Sequence, residues 1–297
     1  MVDKRPRLAF TRFCFIKGKA MDHVINYFTN SLLDFLCSVK QNQYIPEINR
    51  LEISNDGANI LTFRMEDKFP IMQMDFPNLF ISNLCFMILD SFIDSIYPEM
   101  EGTNFNRKYD KLPKNDNIEI MFSQLYRILE LYRNATVHHM SGIHITNDLL
   151  KIKYCHRKTN YLFTITHKGI EIIEDMVLCY FHYHNVGYSH QYKEYLYYSY
   201  YDDILKEIIA FNDEQNNIII ISSTKINRIE RFNCHSINFK TVDNNIIFDI
   251  PQKLVDRMNF ALDINISIGA KKYIIPIEVI DKNKQISTEE INKFEIN

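Results

Sequence analysis

Residues 118–139 carry apolar side chains at Ile120, Met121, Leu125, Ile128, Leu129, Tyr132 and Ala135. Steps of three and four sustained over that length fit one stripe of an α-helix and no strand, so the chain has to pack a helix of about six turns. Asp116 or Asn117 stands where a helix cap is expected. The same spacing predicts an amphipathic helix over 20–41, through Val24, Tyr27, Phe28, Leu32, Leu33, Phe35 and Leu36. Residues 77–97, 169–184 and 192–211 read as further helices, the first so continuously apolar that burial on more than one side is expected. Residues 8–16 read as a strand. A hairpin is expected from 50–53 and 60–65 about Asn55-Asp56-Gly57, and a second from 149–154 and 161–166 about Arg157-Lys158-Thr159-Asn160. The polar stretch 102–117 reads as a loop.

The pattern changes near residue 213. Short β-like runs follow at 217–222, 226–232, 237–240, 246–250, 262–268 and 273–279, with a short helix expected after Pro251. The fold class expected is therefore α+β. Residues 1–212 form a helical bundle with an N-terminal strand and hairpin insertions, and residues 213–297 form a smaller β-rich domain of unassigned role.

A chain of 297 residues is long enough to bury a sizeable core. With 46% hydrophobic and 24% charged residues it is neither disordered nor fibrous in composition. The formal net charge of −3 excludes a basic field over the whole molecule, so affinity for nucleic acid has to come from local patches. Six cysteines without a CxxC pair point to reduced thiols rather than a disulfide framework. No long apolar run follows the charged residues Asp3, Lys4, Arg5 and Arg7, and no signal peptide is expected. The most apolar window, 79–93, carries Asn83, Asp90 and Ser91 and is short for a bilayer span. A cytoplasmic protein without a membrane partner is the expectation. With seven glycines and no phosphate-cradling or zinc-protease motif, no cofactor and no metal are expected.

The most specific local feature closes the long helix: Leu131-Tyr132-Arg133-Asn134-Ala135-Thr136-Val137-His138-His139. Arginine keeps its charge at any relevant pH, and its planar fork suits a phosphate. Histidine titrates near neutrality and can move a proton. At about 100° per residue, Asn134 and His138 share a helix face about 40° apart, whereas Arg133 and His138 are about 140° apart. A helix end or a second subunit is needed to bring that pair together. Arg133 also fits a plain ion pair with Glu130, and His138 a favourable place at a helix C-terminus.

Arg133-Asn134 with His138 four residues further on, ending the third of four helices, resembles the HEPN superfamily over roughly residues 20–184. That family is marked by Arg, four to six residues, then His, commonly with a polar residue after the Arg. The resemblance implies a metal-independent endoribonuclease in which two such motifs meet in one cleft of a homodimer. It implies that His138 exchanges a proton with the ribose 2′-OH or the leaving 5′-oxygen. Arg133 would steady charge on the phosphate and Asn134 would orient its neighbours, leaving 2′,3′-cyclic phosphate and 5′-OH ends. The substrate would be RNA. A toxin or anti-phage effector, with an antitoxin or defence-system partner, is the role the resemblance suggests. A non-catalytic HEPN-like docking module is the alternative. His139, at a spacing of five, is the other candidate histidine; His138 is preferred because it shares a face with Asn134.

Lys151, Lys153, His156, Arg157, Lys158, His167 and Lys168 form a stretch free of acids after Asp148. Lys153, Arg157 and Lys158 are the candidate RNA-backbone contacts, and a solvated hairpin is the plainer explanation. The N-terminal basic cluster at residues 4–19 fits a solvated tail better. Cys179, His182 and His184 match no standard zinc module, so a core thiol and packed histidines are expected there. The tyrosines between 192 and 201 could stack on bases or simply pack.

Overall fold

The computed structural model of the chain describes residues 29–33, 35–36, 48–54, 57–63, 79–146, 148–184, 187–215, 217–228, 231–235, 237–250 and 261–296. The expected strand at 8–16, the basic cluster at 4–19, the turn at Asn55-Asp56 and the helix after Pro251 lie outside these residues. Of the expected helix over 20–41, residues 29–33 and 35–36 are helical, with Leu33 and Leu36 buried.

The protein is α+β. Beyond the helical residues 29–33 and 35–36, the described helices are α1 (Leu79–Ile96), α2 (Phe105–Lys111), α3 (Asn117–His138), α4 (His167–His184), α5 (His190–Glu207) and the short α6 (Thr288–Ile291). α1 packs against α3 and α4, and α5 packs against the same two, so four helices close a ring around the core. α1 is long and apolar enough, by length and composition alone, to cross a membrane. Its apolar side chains serve this ring, with Ile81, Leu84, Cys85, Ile88, Leu89, Phe92 and Ile93 all buried. α3 begins where Asp116 accepts a hydrogen bond from the Glu119 N–H at 2.9 Å, while Glu119 accepts from the Asn115 N–H at 2.6 Å. The first bond satisfies an amide that a helix start leaves open, and the second holds the chain entering the cap.

Two stretches differ from expectation through tertiary contacts. The expected loop 102–117 contains α2, capped by Asn104 and held because Lys108 is buried between Asp90 (2.8 Å) and Asp94 (2.6 Å) of α1. The expected helix 192–211 ends at Glu207, and Ile208–Asn212 become strand β6. That strand completes a four-stranded antiparallel sheet in the order β3 (Ile143–Ile145), β4 (Leu149–His156), β5 (Thr159–Thr166), β6.

The expected boundary at 212/213 does not separate two sheets. The hairpin β1 (Ile48–Ser54) and β2 (Gly57–Phe63) joins the C-terminal strands β7 (Arg231–His235), β10 (Ala261–Ile268), β11 (Lys271–Pro276) and β13 (Glu295–Ile296). The order is β13-β11-β10-β7-β1-β2, with β1 parallel to β7 and Leu51 opposite Cys234. A third sheet orders β12 (Gln285–Ser287), β9 (Asn245–Phe248) and β8 (Phe239–Val242). Asp213, at the expected boundary, is buried in a bidentate pair with Arg127 of α3. The stretch 217–222 is no strand, because its backbone is bonded by side chains. Arg127 donates to the Asn217 carbonyl (3.2 Å), Tyr201 to that of Ile219 (2.6 Å), and the Ile219 N–H donates to Gln124 (3.2 Å).

Candidate active site

The last turn of α3 carries the motif. Ala135 of that turn is buried and anchors it, whereas Arg133 and Asn134 are half-buried and His138 is exposed. Thr136 ties the turn to α1: its hydroxyl lies 2.8 Å from Asn83 Oδ1 and 2.9 Å from the Arg133 carbonyl.

Arg133 and His138 converge within a single chain. Arg133 Nη1 lies 3.3 Å from His138 Nε2 and donates to Asn134 Oδ1 at 3.0 Å. His138 is the final residue of the helix and His139 its cap, at φ −136° and ψ 41°. A long arginine side chain reaching past a helix end thus closes the angular gap that an ideal helix would leave. Arginine can only donate, so a hydrogen bond between the two requires His138 Nε2 as the acceptor, the arrangement of a ring that carries its proton on Nδ1.

Asn134 joins this group to a carboxyl. Its amide nitrogen donates to Glu130 Oε1 through a short contact while its oxygen faces Arg133, which fixes the amide orientation. Burial pushes the Glu130 carboxyl up to about 7; the Asn134 hydrogen bond opposes this, the charges of Asp213 and Glu214 add to it, and Arg133 opposes it. Glu130 to Asn134 to Arg133 to His138 is one connected chain of polar contacts. The spacing of Glu130 before the motif is visible in the sequence as an ordinary one-turn pair. Its burial is not, because Asp213 and Glu214 come from the turn after β6.

The other histidine does something different. The His139 ring stacks on Tyr154 of β4, with centroids 4.3 Å apart and planes 10° apart. Tyr154 stacks in turn on its cross-strand partner Tyr161 of β5, at 4.7 Å and 11°. The Tyr161 hydroxyl donates to Glu214 at 2.6 Å, closing the far end of this column. Gly142, which follows His139 in the connector to β3, makes this seating possible. A Cβ there would stand 2.4 Å from the Lys153 carbonyl oxygen, so only glycine lets the connector lie this close to β4.

The hairpin carrying the expected RNA contacts forms with a turn of two residues. Arg157 and Lys158 sit at its tip with φ 47° and 73°, both exposed, between paired His156 and Thr159. Strand alternation places Ile152 and Tyr154 on the inner face and Lys151, Lys153 and Cys155 on the outer one. Lys153 is therefore set apart from the motif. His167 and Lys168 are remote from the tip at the start of α4, where Lys168 pairs with Glu207 (2.9 Å). The single basic surface expected from the sequence is thus divided.

The tyrosines of α5 are packing residues: Tyr192, Tyr195, Tyr197, Tyr200 and Tyr201 are buried. Cys179 is buried in α4, and burial lowers the pKa of both His182 and His184. Among the described residues no group of three or more His, Cys, Asp or Glu side chains is gathered to hold a metal ion. No family model, no curated protein and no solved structure matches this chain.

Proposed function

We propose that this chain is a metal-independent endoribonuclease of the HEPN type, with Arg133, Asn134 and His138 as its catalytic group. The observation that carries the reading is the 3.3 Å approach of Arg133 Nη1 to His138 Nε2 at an exposed helix end. A permanent cation and an imidazole there face the same small volume, the one suited to a phosphate and the other to moving a proton.

In the resting site the guanidinium occupies the His138 lone pair. A phosphate competes for that guanidinium with better geometry, since a fork matches two phosphate oxygens. Its departure frees Nε2 to take the 2′-OH proton. The 2′-oxygen then bonds to phosphorus and the bond to the 5′-oxygen breaks. That oxygen takes up a proton from water as it leaves, giving 2′,3′-cyclic phosphate and 5′-OH ends. Arg133 holds the charge that builds on the non-bridging oxygens. Asn134, anchored by Glu130, limits where the guanidinium can go. The requirement for a 2′-OH restricts the substrate to RNA. A homodimer acting in the cytoplasm as a toxin or anti-phage effector, held by an antitoxin or another defence-system partner, completes the proposal.

The test is incubation of the purified protein with total RNA in EDTA, beside Arg133→Ala and His138→Ala. Wild type should cleave, and each variant should lose about a hundredfold or more in rate. Cleavage retained by both variants, or abolished by EDTA, refutes the assignment. A second reading, a non-catalytic docking module, is favoured by the exposure of Val137 (54%) and Met140 (58%) on either side of His138. It predicts no cleavage by wild type and a partner-dependent loss of binding in Val137→Asp.

A further inference from the structure

The column of His139, Tyr154 and Tyr161 has one end tied down and the other at the candidate site. At the fixed end, Tyr161 bonds Glu214, whose second oxygen accepts from Asn106 of α2 at 2.7 Å. At the other end, Tyr154 covers one face of the half-buried His139 ring. The remaining ring neighbours of His139 among the described residues stand at steep angles. His138 is 6.4 Å away at 70°, and His156 is 6.2 Å away at 60°. These two rings flank His139, and among the described residues Tyr154 is the one ring that stacks parallel to it.

A flat surface walled by two hydrogen-bonding imidazoles, next to a guanidinium, matches one kind of ligand group well. A nucleobase has a π-face for the stack and polar edges for the walls, and it is joined through its sugar to a phosphate. An aromatic side chain of a protein partner would use the face but leave the walls and Arg133 without a role. The surface is also preorganised. The Tyr154–Tyr161 register is set by the β4–β5 ladder, and the approach of Gly142 to Lys153 holds the His139 connector on β4. A ring already fixed in this way loses little freedom when a base lands on it.

We infer that the outer face of His139 is the stacking platform for the base adjoining the cleaved phosphate of single-stranded RNA, with His138 and His156 reading its edges. This rests on the ribonuclease reading for the identity of the neighbouring phosphate site. It gives the two adjacent histidines separate tasks: His138 moves the proton and His139 holds the base. Arg157 and Lys158, beyond His156 at the hairpin tip, lie where the backbone of the same strand would continue.

The test uses the full chain and a short 2′-O-methyl oligoribonucleotide carrying one 2-aminopurine. The blocked 2′-oxygen makes the probe resistant to the proposed cleavage. An end label reports binding by anisotropy, and 2-aminopurine fluorescence reports stacking. Binding should quench the 2-aminopurine severalfold. His139→Ala should abolish the quench and weaken binding about tenfold, while His139→Phe, which keeps a ring, should retain both. Binding without quenching, a quench unchanged in His139→Ala, or no binding at all overturns the platform. Cleavage of the unmodified oligoribonucleotide in EDTA judges the nuclease separately. Cleavage without quenching removes the platform and spares the nuclease; quenching without cleavage does the reverse.

Discussion

Glu130 is the residue whose ionisation matters most to the neighbourhood of the motif. Its carboxyl titrates at about 7, against 4.5 ordinarily, chiefly because it is buried. A carboxyl whose pKa is raised by folding favours the folded state while protonated. That contribution is complete below about pH 4.5 and is lost as pH rises toward 7. Glu130→Gln should therefore be more stable than wild type above pH 7, by roughly 2–3 kcal/mol at most, and should lose that advantage below pH 5. Denaturant melts of both proteins across this range measure it; a difference independent of pH would show that Glu130 does not titrate in this way. The glutamine also offers an amide where Asn134 now finds a carboxylate, so cleavage should fall even as stability rises. Gly142 gives the opposite result. Gly142→Ala drives a methyl to 2.4 Å from the Lys153 carbonyl oxygen, and the connector must lift. A loss of about 1–3 kcal/mol is expected, with a larger proportional loss of cleavage because His138 and His139 move with the connector. A variant with normal melting and normal activity would mean that the connector relaxes at no cost.

Among the elements, the β4–β5 hairpin shows a local conflict. A two-residue turn of type I′ has positive φ at both central positions, which Asn-Gly adopts easily and Arg-Lys does not. Arg157 and Lys158 adopt it all the same, at a cost on the order of 1–2 kcal/mol for each residue in this region. The double substitution Arg157→Asn with Lys158→Gly should raise the melting temperature by several degrees. If the tip meets RNA backbone, the same variant should bind RNA more weakly and with a shallower dependence on salt. A stabilised variant with unaltered affinity and salt slope would make the two charges mere surface residues. This hairpin and the helices are the parts legible in advance, because their spacing and turn chemistry act over a few residues. The length of α3, its Asp116 cap and the strands around 149–166 follow from the residues themselves. α2, β6 and the non-strand at 217–222 do not. Each depends on a remote partner: Asp90 and Asp94 for Lys108, β5 for β6, and the side chains of Arg127, Tyr201 and Gln124 for the backbone after Asn217. The Arg133–His138 approach was only half legible. Angular arithmetic treats both residues as stubs on a cylinder, and it misses how far a guanidinium reaches past a helix end.

At the scale of the molecule, the helical ring and the large sheet share one core, and the seam between them is charged. The Arg231 side chain of β7, 8% exposed, pairs with the buried Asp263 of β10 (2.6 Å) and with Glu278 (2.8 Å). The Tyr192 hydroxyl of α5 donates to the same Asp263 at 2.9 Å. Removing Asp263 leaves Arg231 with Glu278 as its one carboxylate and takes the acceptor from the Tyr192 hydroxyl, so Asp263→Ala should cost about 3 kcal/mol. Its effect should reach the motif on α3, because α5 packs on that helix. By the same logic, residues 1–212 alone should give no cooperative melt. They lack the parallel partner of β1, the acceptor of Tyr192 and the anion of Arg127. A folded, sharply melting 1–212 fragment would restore the two-domain division that composition suggests.

The parallel pairing of β1 with β7 also has a consequence for synthesis. On the ribosome, Leu51 emerges long before Cys234, its register partner, and the hairpin must wait through the making of every helix of the ring. Closing so distant a pair is slow, and by then the Arg133–His138 group has already been translated. A chain assembled in this order gains the strand that pairs in parallel with β1 only after all four helices of the ring have been made.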